Sequence, residues 1–250
     1  MKLEKVIAKQ NGKTVYEVGD KCVKVFDEGY AKSRVLKEAA NHSAVEETGL
    51  NVPKLLEVVT VDGKWAIVYE LVKGKTLAQL AEEDYSKKGE YLELMVDLQM
   101  QIHAKSSKLL ARTQDELHDD IRATDFNATT RYDLHNLIDT MARSATVCHG
   151  DLKLSNVILC EDGKVAITGW AYATKGDPYA DVSKTYLSFW MRGDISGAEK
   201  YLEIYCQKSG VDKAKIDWWT PIMAAAMTSK CNEKEREFLL SLVNKNYNKV

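Results

Sequence analysis

The sequence predicts an α+β protein with two lobes, a small antiparallel-sheet lobe over residues 1–71 and a larger, mainly helical lobe over residues 72–250. Short runs near the N-terminus alternate between apolar and polar residues and are separated by turn signals. From about residue 89 onward, apolar residues recur three and four positions apart, which is typical of helices. Residues 146–170 combine a polar loop with two short apolar runs, and the chain is organised around this stretch.

The first lobe is predicted as a meander, a helix and a second hairpin. The strands are 6–8, 14–18, 22–26, 55–61 and 65–71, the helix covers 31–48, and the turns are Asn11-Gly12, Gly19-Asp20 and Asp62-Gly63. The first turn holds a single glycine and no G-x-G-x-x-G motif. By itself this turn is therefore no evidence for phosphate binding.

Two charged residues of this lobe are candidates for a nucleotide site. Lys24 lies in the middle of an apolar strand, where an ammonium facing the interior needs a partner. Glu38 lies on the helix that follows. In phosphoryl-transfer enzymes a strand lysine contacts the α- and β-phosphates and is held by a helix glutamate, and Lys24 and Glu38 fit these roles by order. A solvent-facing charge is the alternative for each.

The second lobe is predicted to be built from helices. The first predicted helix begins near residue 89. The others cover Leu134–Met141, 182–190, 195–208, 218–227 and 233–245. His103, late in the first of them, is more often a packed or exposed residue than a ligand. Residues 114–126 are acidic and would attract a cationic substrate if they bordered the active site, although a solvated helix face is at least as good an interpretation.

The central stretch has the layout of a phosphoryl-transfer loop. His149-Gly150-Asp151 is followed, five residues after the aspartate, by Asn156 and an apolar run. At this spacing the aspartate can accept a hydroxyl proton and the asparagine can bind Mg²⁺. Glu161-Asp162-Gly163-Lys164 then predicts a hairpin that returns the chain to Gly169, the position at which kinase-type sites carry a metal-binding aspartate.

The segment H-G-D-L-K-L-S-N, followed by I-T-G-W, resembles the catalytic loop and metal segment of the aminoglycoside phosphotransferase and choline kinase family. Gly176–Asp181, G-D-P-Y-A-D, is similar to a further family motif. The resemblance implies a protein-kinase-like fold and an enzyme that uses ATP and Mg²⁺. It implies that Asp151 orients or deprotonates the acceptor hydroxyl, and that His149 and Asp181 support the loop.

The same resemblance places the hinge between the lobes at residues 70–73, where the backbone of Glu70 and Val72 would bind adenine. It also implies that metal binding is shared between Asn156 and position 169. Gly169 is a departure, because glycine has no carboxylate to offer. The hydroxyl of Thr168 is a poor replacement, and Asp162 is expected at the far end of the hairpin.

The sequence therefore predicts an ATP-dependent phosphotransferase acting on a hydroxyl of a small molecule, with activity impaired by Gly169. An aminoglycoside, a choline-like amino alcohol and a sugar all fit as acceptors. The alternative is a nucleotide-binding pseudokinase or a scaffold protein without catalysis. Because Lys24, Glu38, Asp151, Asn156 and Asp181 are all present, a substitution in an otherwise active lineage is the favoured explanation for Gly169.

Composition limits the other classes of function. The formal charge of −2 gives no basic field for nucleic acid. The five cysteines form no C-x-x-C pair, which argues against a zinc site or disulfide framework and fits a reducing cytoplasm. The charged N-terminus does not resemble a signal peptide, and no apolar run approaches the roughly 20 residues that span a bilayer. The oligomeric state is left open.

Overall fold

The N-terminal part of the chain forms a five-stranded antiparallel sheet and one helix. The structure is a computed structural model that describes residues 2–10 and 12–247, so Asn11 of the predicted first turn lies outside the described residues. The elements are β1 (Lys5–Gln10), β2 (Lys13–Val18), β3 (Lys21–Phe26), α1 (Lys32–Glu46), β4 (Leu55–Val61) and β5 (Lys64–Glu70). The strand order is β1-β2-β3-β5-β4.

Alternation along β3 and β5 divides their side chains between the two faces of the sheet. Val23, Val25, Ala66 and Val68 belong to one apolar cluster. Phe26, Ile67 and Tyr69 belong to another, which includes Val35 and Ala39 of α1. The helix therefore covers one face of the sheet, and Lys24, two residues before Phe26, points to that same face.

A second, three-stranded sheet follows the first in the order β6-β8-β9. Its strands are β6 (Gly74–Thr76), β8 (Val157–Cys160) and β9 (Val165–Ile167), and β6 leads into α2 (Leu77–Glu83). Thr76 and Gln79 form a capping box at the start of α2. Asn51 fixes the β8–β9 hairpin, because its side-chain amide donates to the Val165 carbonyl (2.8 Å) and its main-chain carbonyl accepts from the Ile167 N–H (3.0 Å).

The remaining elements are mainly helical, as the periodicity predicts. They are α3 (Lys88–His103), α4 (Thr113–Arg122), α5 (Ala128–Asp139), β7 (Val147–Cys148), β10 (Thr174–Lys175), α6 (Pro178–Met191), α7 (Ile195–Ser209), α8 (Lys213–Met227) and α9 (Glu233–Tyr247). Strands β7 and β10 pair antiparallel. Helix α5 begins before the predicted Leu134 because the Asn127 side chain caps it, accepting from the Thr130 N–H (2.9 Å).

The chain divides into two compact units. The first combines the chain up to Ser86 with Lys153–Ala173, and the second combines Lys87–Leu152 with the chain from Thr174 onward. This division differs from the predicted lobes, 1–71 and 72–250, because β8 pairs with β6 and so joins the first unit. Sheet-rich and helix-rich parts confirm the predicted α+β class. No helix among the described residues is long and apolar enough to cross a membrane.

Candidate active site

In the first unit, one carboxylate of α1 binds two lysines of the sheet. The Lys24 ammonium forms an ion pair with Oε1 of Glu38. The Lys13 Nζ lies 3.1 Å from Oε2 of the same residue. Only 11% of each lysine side chain and 5% of the Glu38 side chain is exposed. The structure thus brings together the predicted pair of Lys24 and Glu38, and it adds Lys13.

Burial and charge act in opposite directions on these groups. Burial by itself raises the pKa of Glu38, but the two lysines outweigh it and hold the pKa below its usual range. Burial lowers the pKa of Lys24, with Glu38 opposing the shift and Lys13 adding to it. The Lys13 ammonium also lies 5.3 Å from the centre of the Phe26 ring, which gives it a second partner.

The predicted hinge residues follow the sheet directly. Glu70 ends β5, and its N–H donates to the Lys54 carbonyl (2.9 Å). Val72 is half-buried in the three-residue connection between β5 and β6. Binding of adenine by their backbone groups stays a prediction.

In the second unit, a buried carboxylate of α6 holds the predicted catalytic loop. Oδ1 of Asp181 accepts from the Gly150 N–H (2.7 Å), and Oδ2 accepts from the His149 N–H (3.2 Å). His149 is fully buried, and its Nδ1 accepts from the N–H of Asp151 (3.2 Å). Gly150 has a φ of 77°, a left-handed conformation that glycine adopts without strain. These contacts set the backbone path that leads to Asp151.

Two residues that the motifs do not reveal complete the environment of Asp181. Nε2 of His103 lies 3.0 Å from Oδ2 of Asp181, and Gln99 donates to the same oxygen (3.2 Å). Burial by itself raises the pKa of Asp181, but His103 and the loop outweigh it and hold this pKa well below its usual range. His103 is thus packed against neighbours, as the sequence favoured. The only sequence signal was the position of Gln99 and His103, one turn apart on one apolar helix.

Asn156 and Gly169 lie together in the first unit. Asn156 is buried, and its main-chain carbonyl accepts from both the N–H (2.8 Å) and the hydroxyl (3.3 Å) of Thr168. Gly169 has φ 85° and ψ 34°. A β-carbon at this position would lie 2.6 Å from Nδ2 of Asn156. The asparagine amide therefore occupies the space into which a side chain at position 169 would extend.

The donors around Gly169 do not fit a tightly held Mg²⁺ ion. The Asn156 amide supplies a neutral oxygen, and Gly169 has no side chain. Asp162 is exposed at the hairpin turn, where it pairs with Lys164 (3.0 Å). Within residues 2–10 and 12–247, no group of three or more His, Cys, Asp or Glu residues is arranged to hold a metal. Because Mg²⁺ in such sites is usually held by carboxylates, these residues would hold it only weakly.

The acidic segment of α4 and the loop after it is balanced by basic side chains of the same unit. Asp119 pairs with Arg122, Asp120 with Lys230 (2.5 Å) and Asp125 with Arg236 (2.5 Å). This pairing favours the interpretation of the segment as a solvated, ion-paired surface.

Comparisons with known proteins show which family the chain is related to. Residues 5–219 match the model of APH, the phosphotransferase enzyme family. A search of curated proteins finds acyl-CoA dehydrogenase family member 10 of Mus musculus, 31% identical over 97 residues. That alignment covers 32% of this chain and only 9% of the mouse protein.

Solved structures show the same fold at low sequence identity. Choline kinase LicA from Streptococcus pneumoniae is 16% identical with a TM-score of 0.64, covering 98% of this chain and 92% of LicA. A thermostable mutant of aminoglycoside phosphotransferase APH(4)-Ia, in a ternary complex with AMP-PNP and hygromycin B, is 15% identical with a TM-score of 0.63. It covers 99% of this chain and 88% of that one. The chain therefore belongs to the APH phosphotransferase enzyme family and has its kinase-like α+β fold.

Proposed function

We propose that this protein transfers the γ-phosphate of ATP to a hydroxyl of a small molecule, and that the present chain is impaired in that reaction by Gly169. The observation that carries the proposal is the anchored loop: Asp181 binds the N–H groups of His149 and Gly150. This buried network supports the proposal because it fixes the backbone that leads to Asp151, the residue that would meet the acceptor.

In this proposal the nucleotide is held by groups of the first unit. Lys24 contacts the α- and β-phosphates, and Glu38 keeps the Lys24 ammonium in place. The backbone of Glu70 and Val72 contacts adenine. Support comes from the buried ion pair, whose charges are costly to bury without a use or a full set of partners, and from the AMP-PNP bound by the related APH(4)-Ia structure.

Asp151 acts on the acceptor in the second unit. Its carboxylate orients the hydroxyl and accepts the proton as the oxygen attacks phosphorus. His149 and Asp181 are positioning residues, because they act through the backbone of the loop. The hydroxyl acceptor itself stays open among aminoglycosides, choline-like amino alcohols and sugars. The five cysteines are free, which fits action in a reducing cytoplasm.

Gly169 is proposed to limit the rate. Mg²⁺, when bound in such sites, offsets the negative charge of the phosphates. Without a carboxylate at position 169 the metal is held weakly, and phosphoryl transfer is slowed by several orders of magnitude, since electrostatic stabilisation is a large part of catalysis.

A second function, nucleotide binding without catalysis, is favoured by one observation. The Asn156 amide lies 2.6 Å from the position of a β-carbon at Gly169, so a metal-binding side chain there would have to displace this amide from its present place. A pseudokinase would keep this packing and would still bind ATP through Lys24.

The test compares the native chain with Gly169→Asp and with Gly169→Asn, which has the same shape and no charge. We expect all three to gain thermal stability with ATP, by about 2.7 kcal/mol at 100 times the dissociation constant. Only Gly169→Asp should transfer phosphate, at least about a thousandfold faster than the other two. Aspartate and asparagine tolerate left-handed φ better than most residues, so both variants should fold.

If the Gly169→Asp variant binds ATP but phosphorylates none of a panel of amino-sugars, amino alcohols and sugars, the pseudokinase is the better assignment. If the native chain is as active as the variant, another group supplies the missing carboxylate.

A further inference from the structure

Three segments of the second unit that are distant in sequence form a strip of basic side chains. The segments are 104–112, between α3 and α4, 142–147, which leads into β7, and 174–176, which contains β10. They hold no Asp or Glu, although the whole chain has a formal charge of −2. We call them the cationic strip, and its charged residues are Lys105, Lys108, Arg112, Arg143 and Lys175.

Main-chain hydrogen bonds hold the three segments side by side. The Val147 N–H donates to the Lys105 carbonyl (2.9 Å), and the Lys175 N–H donates to the Ala111 carbonyl (2.8 Å). Lys175 is also the partner of Val147 in the pairing of β7 with β10. The segment 142–147 therefore lies between the other two at one end, and the segment 174–176 joins it to residues 111 and 112.

This pairing places three of the cations in one row. Lys105 and Lys175 lie opposite Val147 on its two sides, and Arg112 is bridged to Lys175. Residues directly opposite one another in paired strands project from the same face. At about 4.8 Å between neighbouring strands, the row from Lys105 to Arg112 spans roughly 14 Å.

The charges of the cationic strip are not neutralised by acidic side chains. In the part of the chain that the structure describes, none of the five residues forms an ion pair, and the Lys175 ammonium donates to the main-chain carbonyl of Lys108 (2.7 Å). The neighbouring acidic residues serve helices instead: Asp177 caps α6, and Asp115 and Glu116 lie in the first turn of α4.

Other exposed lysines of the same unit are paired. On α7 and α8 each has an acidic partner within 3.2 Å, and the pairs are Lys200 with Glu203, Lys208 with Asp97 and Lys213 with Asp217. The cationic strip thus differs from the rest of this surface by its unbalanced charge.

An apolar side chain projects from the same strip. Leu109 is 64% exposed, and it lies in the loop between Lys108 and Arg112. The three segments contain no Phe, Tyr or Trp. The surface therefore combines a row of cations with one exposed leucine and offers no aromatic ring.

We propose that the cationic strip binds the second unit to the surface of a lipid bilayer that carries anionic phospholipid headgroups. Lys and Arg near such a surface are attracted by its negative potential, and Leu109 enters the headgroup region. This attraction is local, because charges further away than about 8 Å are screened at physiological ionic strength, so the formal charge of the whole chain does not prevent it. The proposal goes beyond the proposed function and does not depend on it.

The composition of the strip favours a bilayer over macromolecular partners. Single-stranded nucleic acid is bound by stacking its bases on aromatic rings, and protein interfaces depend on buried aromatic anchors. The strip has neither. A bilayer needs no shape complementarity, only several cations on one surface and some apolar area.

The test measures co-sedimentation of the full chain with vesicles of phosphatidylcholine alone and with vesicles in which about a third of the lipid is phosphatidylserine. The variant combines Lys105→Gln, Arg112→Gln and Arg143→Gln, and it keeps Lys175 because the Lys175 ammonium holds the Lys108 carbonyl. The matched control changes the net charge equally on the paired surface, with Lys200→Gln, Lys208→Gln and Lys213→Gln.

The native chain should bind the anionic vesicles and not the neutral ones, and binding should fall as the salt concentration rises. The strip variant should lower the partition coefficient about a hundredfold, or about fivefold for each cation, while the control changes it by less than about threefold. Leu109→Ser should lower it by about fivefold, since less apolar area enters the bilayer.

No binding of the native chain to anionic vesicles at low salt overturns the proposal, and this result needs no variant. Equal losses in the strip variant and the control overturn the assignment to this surface, as does unchanged binding of Leu109→Ser. Retention on heparin or RNA without vesicle binding would identify a polyanion rather than a lipid surface. Circular dichroism and ATP-dependent thermal stability of every variant check folding and the proposed function separately.

Discussion

The two units hold their functional groups in different ways. In the first unit, Glu38 binds the side chains of Lys24 and Lys13, so the arrangement depends on charge at the ends of side chains. In the second unit, Asp181 binds main-chain N–H groups and so fixes the path of the backbone. A network of the second kind tolerates changes in neighbouring side chains, whereas a metal site of side-chain ligands loses a ligand with one substitution.

Gly169 illustrates this difference. In the proposed function the glycine lacks a metal ligand, and it does so without disturbing the first unit, because it adopts the left-handed backbone without strain and the Asn156 amide fills the space. Loss of the Asp181 carboxylate would instead disturb the loop of the second unit, since it binds the N–H groups of His149 and Gly150, and His149 in turn accepts from the Asp151 N–H. The predictions below test this contrast, in order of decreasing effect.

The largest effect is expected for Asp181→Asn. The amide keeps one acceptor oxygen, but the buried carboxylate charge that accepts from two N–H groups is lost, which should lower the free energy of unfolding by about 3–5 kcal/mol at pH 7. In the Gly169→Asp background it should also lower kcat. Urea unfolding and initial rates measure the two effects.

The difference in unfolding free energy between the native chain and Asp181→Asn should depend on pH. The pKa of Asp181 is lowered in the folded protein, so its contribution to stability is complete above the unfolded value, about 3.9, and is lost as the pH falls through the folded pKa. The gap between native chain and variant should therefore begin to narrow below about pH 4. Asp177→Asn is the matched control, because asparagine also caps helices well. A gap that is constant from pH 7 to 3 would contradict this account.

A smaller loss is expected for Glu38→Gln. The variant leaves two ammonium groups close together with a neutral acceptor, which should cost about 2–3 kcal/mol of unfolding free energy and weaken ATP binding. Because the pKa of Glu38 is lowered on folding, this difference should also shrink in acid, as the pH falls below the ordinary glutamate value of 4.5. Glu57→Gln, which removes an exposed partner of Lys21, serves as control. Equal effects of the two changes would argue against a special role for Glu38.

Substitutions of Lys24 and Lys13 should have different effects on ATP affinity. Lys24→Met should raise the ATP dissociation constant by about tenfold, since a phosphate contact is lost. Lys13→Met should change it by less than about threefold, because methionine keeps the packing against Phe26 and leaves Lys24 paired with Glu38. Calorimetric titration with ATP measures both. The reverse order would assign the phosphate contact to Lys13.

The smallest effect is expected on α4. Asp119→Asn removes one member of an exposed pair with Arg122, and its effect on unfolding free energy should stay within about 0.5 kcal/mol. Acceptor preference should not change either. A clear loss of affinity for glucosamine would restore the acidic segment as a binding site for cationic substrates.

Much of the molecule was predictable from local patterns. The strands of the first sheet and the helices after residue 89 follow from periodicity, and the loop around Asp151 follows from its spacing to Asn156. Lys24 and Glu38 could be paired because a buried strand lysine needs a partner and the next helix offers one. The difference in unit boundaries has a simple cause: pairing of β8 with β6 joins residues far apart in sequence, and no local pattern encodes that.

The sequence by itself determined the fold class, the family and the identity of the residues in the motif, because these depend on neighbours along the chain. Tertiary structure alone decided that Lys13 also binds Glu38, that His103 and Gln99 bind Asp181, and that Asn156 fills the space beside Gly169. It also decided that Asp125 is balanced by Arg236, 111 positions away. The physical reason is the same in each case. Electrostatic and steric interactions depend on the distance between two groups in space, and only folding brings groups that are far apart in sequence close together.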